Sequence, residues 1–381
     1  MTIIVISNYR KDRQESMVRF AAMLHKGYKS KGLNVIKVRP LIILGFFFHQ
    51  TTHGAGKWFS YADKWIFTPF LLMKIRLQYS FQSDVFYHIA DHSNSPYLFW
   101  LPKNKTLITC HDVLAIRGSL GFKELRCDAS WTGVLYQRWI KRNLLKSKNI
   151  AAVSSTTLQQ LTSLDSSSRY KNYNWHVVFN GLNASFYRPE EDFIVMMLKR
   201  TNIEIGKPFL LHVGSGHARK NRVMLVKMLL ELGDEYNGCV VFAGKQADKA
   251  LNDYINENRL NNRVHFIINP GNGLLLALYA ACDAFIFPSW SEGFGWPVIE
   301  AQACGAPVIV SNKLPMPEVA GEGALYADPD SPAQFAESFK KLFNKNFRFD
   351  LIEKGYKNTT RFSSSKMINE YLDFFNKIRK K

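Results

Sequence analysis

Acidic side chains are scarce in this chain: 31 Asp and Glu stand against 50 Lys and Arg, a formal net charge of +19 over 381 residues. An excess of that size points to an anionic partner, and nucleic acid and an anionic membrane surface are the two classes it raises. Cysteine is sparse as well. Cys110, Cys127, Cys239, Cys282 and Cys304 are odd in number, widely spaced and without a C-x-x-C pair. That usage argues against a disulfide framework or a zinc site and for reduced thiols in a cytoplasmic protein. Long apolar runs are missing too: Leu41 to Phe48 is about eight residues, against the roughly 20 that a spanning helix requires. The opening MTIIVISNYRKDRQ puts its apolar residues before its charges and offers no small-residue cleavage site, so it reads as a first strand and not as a signal peptide.

What is present describes a folded protein, with 46% hydrophobic and 21% charged residues and length enough for two domains. Ile3 to Ser7 and Phe209 to Ser215 are short β-rich runs, each leading through a polar turn into a helical pattern. Leu107 to Cys110, Ile150 to Val153 and Val240 to Ala243 repeat the theme. Strands alternating with helices imply parallel sheets, hence an α/β fold of two Rossmann-like domains. The expected domains are residues 1–190 and 207–365, with a linker near 182–206 whose RPEEDF and KRTNIEIGKP lack a long apolar period. Residues 366–381 end the chain as an amphipathic helix, with Met367, Ile368, Tyr371, Leu372, Phe374, Phe375 and Ile378 at helical spacing.

The most informative stretch is PSWSEGFGWPVIEAQACGAPVIVSN, residues 288–312. The apolar run Ala284 to Phe287 reads as a buried strand, and the chain turns at its carboxyl end. Gly293 and Gly295 leave backbone N–H groups uncovered beside Phe294 and Trp296, while Pro297 suits a first helical turn, where a missing N–H costs nothing. Glu292 on that loop and Glu300 one turn inside the helix are candidate ligand-binding carboxylates. On the residues alone, Glu292 reads also as an ordinary cap and Glu300 as a solvated face residue.

A second constellation is GSGHARKNR, residues 214–222, after the strand opening the second domain. Arg219, Lys220 and Arg222 gather at an expected helix amino terminus, where the dipole disfavours cations, and an anion would relieve the conflict. The amides around Gly214 and Gly216 are available to the same ligand. His111 in TCHD follows the strand 107–110 and points to the ligand edge of the first sheet, where it can donate to a sugar hydroxyl or a phosphate. Asp112 reads equally as a partner of that imidazole or as a turn residue.

Taken together, the two glutamates separated by GFGWPVI, the upstream LYAACDAFIFPS, the downstream Pro317, Glu318, Val319 and Gly321, VVFNGLNASFYRP (177–189) and ITCHD (108–112) resemble the retaining glycosyltransferases of family 4, the group 1 glycosyltransferases. The resemblance is strong in the C-terminal half and loose before about residue 85. It implies a GT-B fold, with the two domains facing a central cleft and the C-terminal helix returning to the N-terminal domain. Glu292 would contact the transferred sugar, Glu300 the ribose diol, Lys220 the donor diphosphate, and His111 the active site. Many relatives carry an arginine where this chain has Ser215, a role that falls to Arg219. The first turn, NYRKDRQESM, lacks the paired glycines of many relatives. The run SNKLPMPEVAG (311–321) is similar to bacterial polysaccharide mannosyltransferases, which favours GDP-mannose over UDP-sugars as donor and a glycan or lipid-linked saccharide as acceptor. A GT-B epimerase or phosphorylase, or a non-catalytic basic binding protein, is the alternative.

No metal site is expected. His88 and His92 have metal-like spacing, but DVFYHIA reads as a strand, and the triplet Asp328, Pro329 and Asp330 precedes SPAQFAESFKKLF, so that Asp330 or Ser331 reads as the cap of the next helix. The first 80 residues hold 13 basic and 3 acidic side chains. LIILGFFF (41–48) and KWIFTPFLLMKIRL (64–77) mix aromatics with Lys64, Lys74 and Arg76. Nothing like a nucleic-acid module accompanies the charge, so no nucleic acid is expected. Two readings of the aromatics stay open, as core or as a peripheral contact on the inner face of the cytoplasmic membrane.

Overall fold

Two six-stranded sheets, both parallel throughout, carry the chain. The structure is a computed structural model and describes residues 1–122, 130–201, 203–204 and 206–380. The first sheet has β1 (Thr2–Ile6), β2 (Asn34–Val38), β3 (Val85–Ile89), β4 (Thr106–Cys110), β5 (Asn149–Ala152) and β6 (Asn174–Val177), in the order β2-β1-β3-β4-β5-β6. The second has β7 (Phe209–Gly214), β8 (Cys239–Gly244), β9 (Val264–Ile268), β10 (Ala284–Phe287), β11 (Val308–Ser311) and β12 (Leu325–Ala327), in the order β12-β11-β10-β7-β8-β9. Strands such as TIIVI and AFIF are buried at every position because helices cover both faces. The second order is that of the Rossmann fold, with the direction of winding reversing between β7 and β10. In the first sheet the reversal falls between β1 and β3. Ligands of such sheets sit beyond the carboxyl ends of the strands at these points.

The chain divides into two units. Met1–Gly121, the stretch that ends at Asn183 and the segment from Ser364 form one; Ala184–Ser363 makes up the bulk of the other. Residues 182–206, expected as a linker, instead carry a helix, Glu191–Leu198, which buries Ile194 and Leu198. Phe193 and Met197 lie over Gly273 of the helix Asn272–Ala281. Two turns are too short to show a period in sequence, so packing decides the element. Cys110, Cys239, Cys282 and Cys304 are free and buried. Cys127 lies outside the described residues.

The last helix, Ser364–Arg379, buries Met367, Ile368, Tyr371, Phe374, Phe375 and Ile378 in the first unit. A buried polar chain ties it to the sheet: Tyr371 Oη meets Thr109 Oγ1 at 3.0 Å, Thr109 meets His88 Nε2 at 2.8 Å, and His88 Nδ1 meets Tyr28 Oη at 2.8 Å. Burial first, then His111, keeps the His88 imidazole neutral, with its pKa pushed down to about 3. Both ring nitrogens are thus engaged within the core, as a strand residue's would be.

Gly27, within the helix Glu15–Ser30, leaves room for this last helix, since an added Cβ would stand 2.4 Å from Ile368 Cγ1. Gly→Ala in a helix interior ordinarily gains about 1 kcal/mol. Here Gly27→Ala should instead cost about 1–3 kcal/mol through overpacking. Ile368→Ala in the same chain should recover part of that loss. Denaturant unfolding of the single and double variants checks this, and a stabilised Gly27→Ala protein would contradict the close approach.

Candidate active site

In the second unit the loops following β7 and β10 meet at the sheet's reversal point. After β7 the chain makes a short helical turn, Ala218–Lys220, before the helix Val223–Leu232. After β10 it runs through residues 288–295 into the helix Trp296–Ala303, with Pro297 in the first turn. Gly295 sits at φ +99°, and a Cβ there would lie 2.8 Å from Met316 Cε, so only glycine fits this entry.

Glu292 lies between two cations: Arg219 Nη1 is 2.7 Å from one carboxylate oxygen and Lys220 Nζ 2.7 Å from the other. Glu292 and Lys220 are both buried. Burial alone would raise the Glu292 pKa, but Lys220 and then Arg219 overcome it and hold the carboxyl down to about 2. Arg219 also donates to the Ser291 carbonyl at 2.9 Å, and the Trp290 N–H donates to the Arg219 carbonyl at 3.0 Å, so the two loops are joined through backbone and side chain. Lys220 Nζ stands 4.7 Å from the Phe287 ring centroid. The third expected cation faces elsewhere. Arg222 donates to the Lys245 and Gln246 carbonyls, both at 3.0 Å, and pairs with Asp248 at 2.8 Å, which bolts the turn to the loop after β8.

Glu300 is buried inside its helix, and Tyr279 Oη donates to Oε2 at 3.0 Å. The solvated reading of Glu300 is therefore wrong, for the helix turns this face toward Tyr279 of the helix Asn272–Ala281. Phe294 is buried, edge-on to Phe362 at 5.5 Å. Gly214 ends β7, where a Cβ would come 3.1 Å from His212 Nε2, and a Cβ on Gly216 would come 3.2 Å from Arg222. A cavity of about 600 Å³ adjoins the turn, lined by Gly216, His217, Asn221, Trp290 and Asp330 among others.

Several participants escape a reading of motifs. Asn221 adopts φ +54°, and its amide donates to the Pro288 and Pro329 carbonyls at 3.2 and 2.7 Å, fastening the turn to the ends of two strands. An Asn after a basic pair was the available signal, since Asn tolerates the left-handed region. His212 on β7 is kept neutral by burial, its pKa pushed down to about 3, and Nδ1 meets the Ile286 carbonyl at 3.1 Å. His212 Nε2 and Ser289 Oγ are buried without a protein hydrogen-bond partner among the described residues. Asp328 meets Lys313 at 3.4 Å, Asp330 accepts from the Trp290 indole at 2.9 Å, and Ser331 caps the next helix. Among the described residues no group of three His, Cys, Asp or Glu is placed to hold a metal.

In the first unit, His111 follows β4, is buried, and makes an Nε2 contact of 2.9 Å with the Ala90 carbonyl. A carbonyl only accepts, so Nε2 carries the proton in the neutral ring and Nδ1 is the accepting nitrogen. Burial lowers its pKa despite Asp91. The expected donor to a sugar hydroxyl or phosphate is thus an acceptor. Asp112 does not orient the ring; Oδ1 accepts from the Leu114 N–H at 3.0 Å as a turn residue. Asn8 after β1 and Asp91 after β3 join at that sheet's reversal point, where the Asn8 amide donates to Asp91. His92 Nδ1 lies 3.1 Å from the other Asp91 oxygen. The first turn is closed: Tyr9 Oη donates to Asp63 at 2.7 Å and Lys11 Nζ to the Gly45 carbonyl at 2.8 Å.

Residues 197–358 match the family described as Glycosyl transferases group 1. The chain is 28% identical over 248 residues to the O-antigen chain mannosyltransferase RfbU of Salmonella typhimurium, covering 64% of this chain and 62% of that protein. It is 30% identical over 172 residues to O-antigen chain mannosyltransferase B of Escherichia coli, covering 43% and 45%. It therefore spans less than two thirds of the length of these relatives. Among solved structures, a sucrose-phosphate synthase from Thermosynechococcus elongatus superposes with a TM-score of 0.74 at 17% identity, over 99% of this chain and 98% of that one. Anabaena HepE in complex with UDP and glucose gives 0.71 at 14%, over 98% of each.

Because the folded pKa of Glu292 lies below its ordinary value of 4.5, its stabilisation is present above about pH 4.5 and is lost as pH falls toward about 2. Glu292→Gln should flatten the acid limb of stability against pH in that window. Melting temperatures at stepped pH check this; an unchanged acid limb would contradict the buried ion triad.

Proposed function

We propose that this chain, whose residues 197–358 match the group 1 glycosyltransferases and whose two-sheet fold is of the GT-B type, moves a hexose from a nucleotide diphosphate sugar to a glycan or lipid-linked saccharide, with retention at the anomeric carbon. The single observation that carries the reading is the Arg219–Glu292–Lys220 triad, with Glu292 and Lys220 buried, at the winding reversal of the second sheet. Two cations held in a desolvated turn suit a departing diphosphate, whose developing charge they stabilise more strongly than water would. The ammonium has three N–H donors and the guanidinium five, so each can serve a phosphate and Glu292 together. The carboxylate then presents its oxygens to sugar hydroxyls. Amides at the start of the helix Trp296–Ala303 are suited to the same charge.

Glu300, steadied by Tyr279, is suited to accept from a ribose diol. His111, neutral with an accepting Nδ1, is suited to receive a hydroxyl proton or hydrogen bond on the acceptor side. The reaction runs without a catalytic metal, since the two cations neutralise the leaving group and Asp328 and Asp330 are engaged by Lys313 and Trp290. Mannose from GDP-mannose is the favoured donor, supported by the two O-antigen mannosyltransferase relatives. A lipid-linked acceptor would seat the enzyme at the inner face of the cytoplasmic membrane as a peripheral protein.

Transfer assays with GDP-mannose test this. Lys220→Ala and Glu292→Gln should each cut turnover by at least about a hundredfold, because each removes a charge acting on the transition state. Glu300→Ala should chiefly raise the donor KM. Activity should survive EDTA. Near wild-type turnover in both charge variants would refute the site, and complete loss on chelation, restored by manganese or magnesium, would refute metal independence.

A further inference from the structure

Residues 54–78 run without interruption through the helix Gly54–Ala62, a π-helical turn Asp63–Phe67 and the helix Thr68–Gln78. The last part is apolar on two sides. Thr68, Pro69, Leu72 and Ile75 are buried in the first unit. On the other side Ile66, Phe70, Met73 and Leu77 are 55%, 66%, 39% and 69% exposed. Their spacing of four, three and four residues places them in one stripe, about 16 Å long at a rise of 1.5 Å per residue. A helix hydrophobic all round is ordinarily a covered helix.

The charge beside the stripe says what covers it. Of the four cations on residues 54–78, Lys57 lies over the Trp58 and Tyr61 rings, and Lys64 is turned inward and pairs with Asp12 at 2.8 Å. The segment's single acid, Asp63, is buried too and accepts from Tyr9 and from the Ile43, Leu44 and Gly45 N–H groups. Lys74 and Arg76 are left exposed next to the stripe with no carboxylate partner among the described residues, Arg76 making one 3.4 Å bond to the Trp100 carbonyl. Beside the same segment the turn Leu44–Phe47 exposes Phe46 and Phe47. Asp63 holds the N–H groups of this turn and Lys11 its Gly45, Phe46 and Phe48 carbonyls, so the rings stand on a fixed frame. Cation without anion, beside an ordered apolar stripe, is complementary to anionic headgroups over an acyl boundary.

We propose that the Ile66–Phe70–Met73–Leu77 stripe, with Lys74 and Arg76, is the surface by which this chain docks reversibly on an anionic bilayer. The core set and the membrane set of the 64–77 segment thus differ: Lys64 and Leu72 belong to the first, Phe70 and Lys74 to the second. The inference deepens the reading of a lipid-linked acceptor, yet it is tested on vesicles without donor or acceptor, so its failure and the failure of the transfer reaction are distinguishable.

The experiment is flotation of the full chain with phosphatidylcholine vesicles, with and without phosphatidylglycerol, at low and high salt. Binding is expected only with phosphatidylglycerol and should weaken as salt shortens the screening length to about 8 Å at physiological ionic strength. Phe70→Ser with Met73→Ser should lower the partition coefficient by at least about tenfold. Lys74→Gln with Arg76→Gln should lower it on anionic vesicles while leaving the melting temperature unchanged. Phe70→Leu, which keeps the apolar surface, should retain binding and controls for misfolding. No flotation at low salt, binding indifferent to these substitutions, or a dimer in sedimentation that Phe70→Ser dissolves would each overturn the proposal, the last by showing that a second copy covers the stripe.

Discussion

A carboxylate buried between two cations sets the terms for the second unit. Removing Glu292 and Lys220 from water is costly, and the contacts of 2.7 Å that Glu292 makes with Lys220 and with the half-buried Arg219 help to offset it. The loops after β7 and β10 are therefore compelled to stay together at the place where the sheet reverses its winding. Asn221 and Arg222 extend the constraint, one to the ends of β10 and β12, the other to the loop after β8. Charge, strand order and loop geometry thus converge on one point.

That convergence gives the site its chemical character. Positive charge is gathered and dried in advance of any ligand, but it is not left uncompensated, because Glu292 supplies the counter-charge from the neighbouring loop. In the proposed reaction, a diphosphate entering here would meet cations already fixed in position, which would leave little reorganisation for the moment of bond cleavage. The neutral histidines follow a similar logic. His212 and His111 are kept uncharged by burial, and a carbonyl contact fixes which nitrogen carries the proton.

Much of the fold was legible because parallel strands covered on both faces leave apolar runs such as Thr2–Ile6 and Ala284–Phe287. The carboxylates and cations of the site were legible as residue types in glycine-bearing loops. Their bonding was not, for Arg219 and Glu292 are 73 residues apart and no local pattern encodes the contact. Arg222 looked like a third ligand cation because the carbonyls of Lys245 and Gln246 have no sequence signature. His111 looked like a donor until the Ala90 carbonyl claimed its proton. In the 64–77 segment the period was hidden twice, by apolar residues on both faces and by the π-helical turn Asp63–Phe67, which adds a residue and shifts the phase. Lys64 therefore points inward where it was grouped with outward cations.

The central claim is that Arg219, Lys220 and Glu292 form the diphosphate site. Calorimetric titration of GDP into the wild-type chain and into Lys220→Gln, with Lys74→Gln as a control elsewhere on the surface, tests it without reference to any acceptor. The account predicts an affinity loss of at least about tenfold for Lys220→Gln, the order expected when one charge-assisted contact to a phosphate is removed, and none for the control. Equal GDP affinity in all three proteins would contradict it.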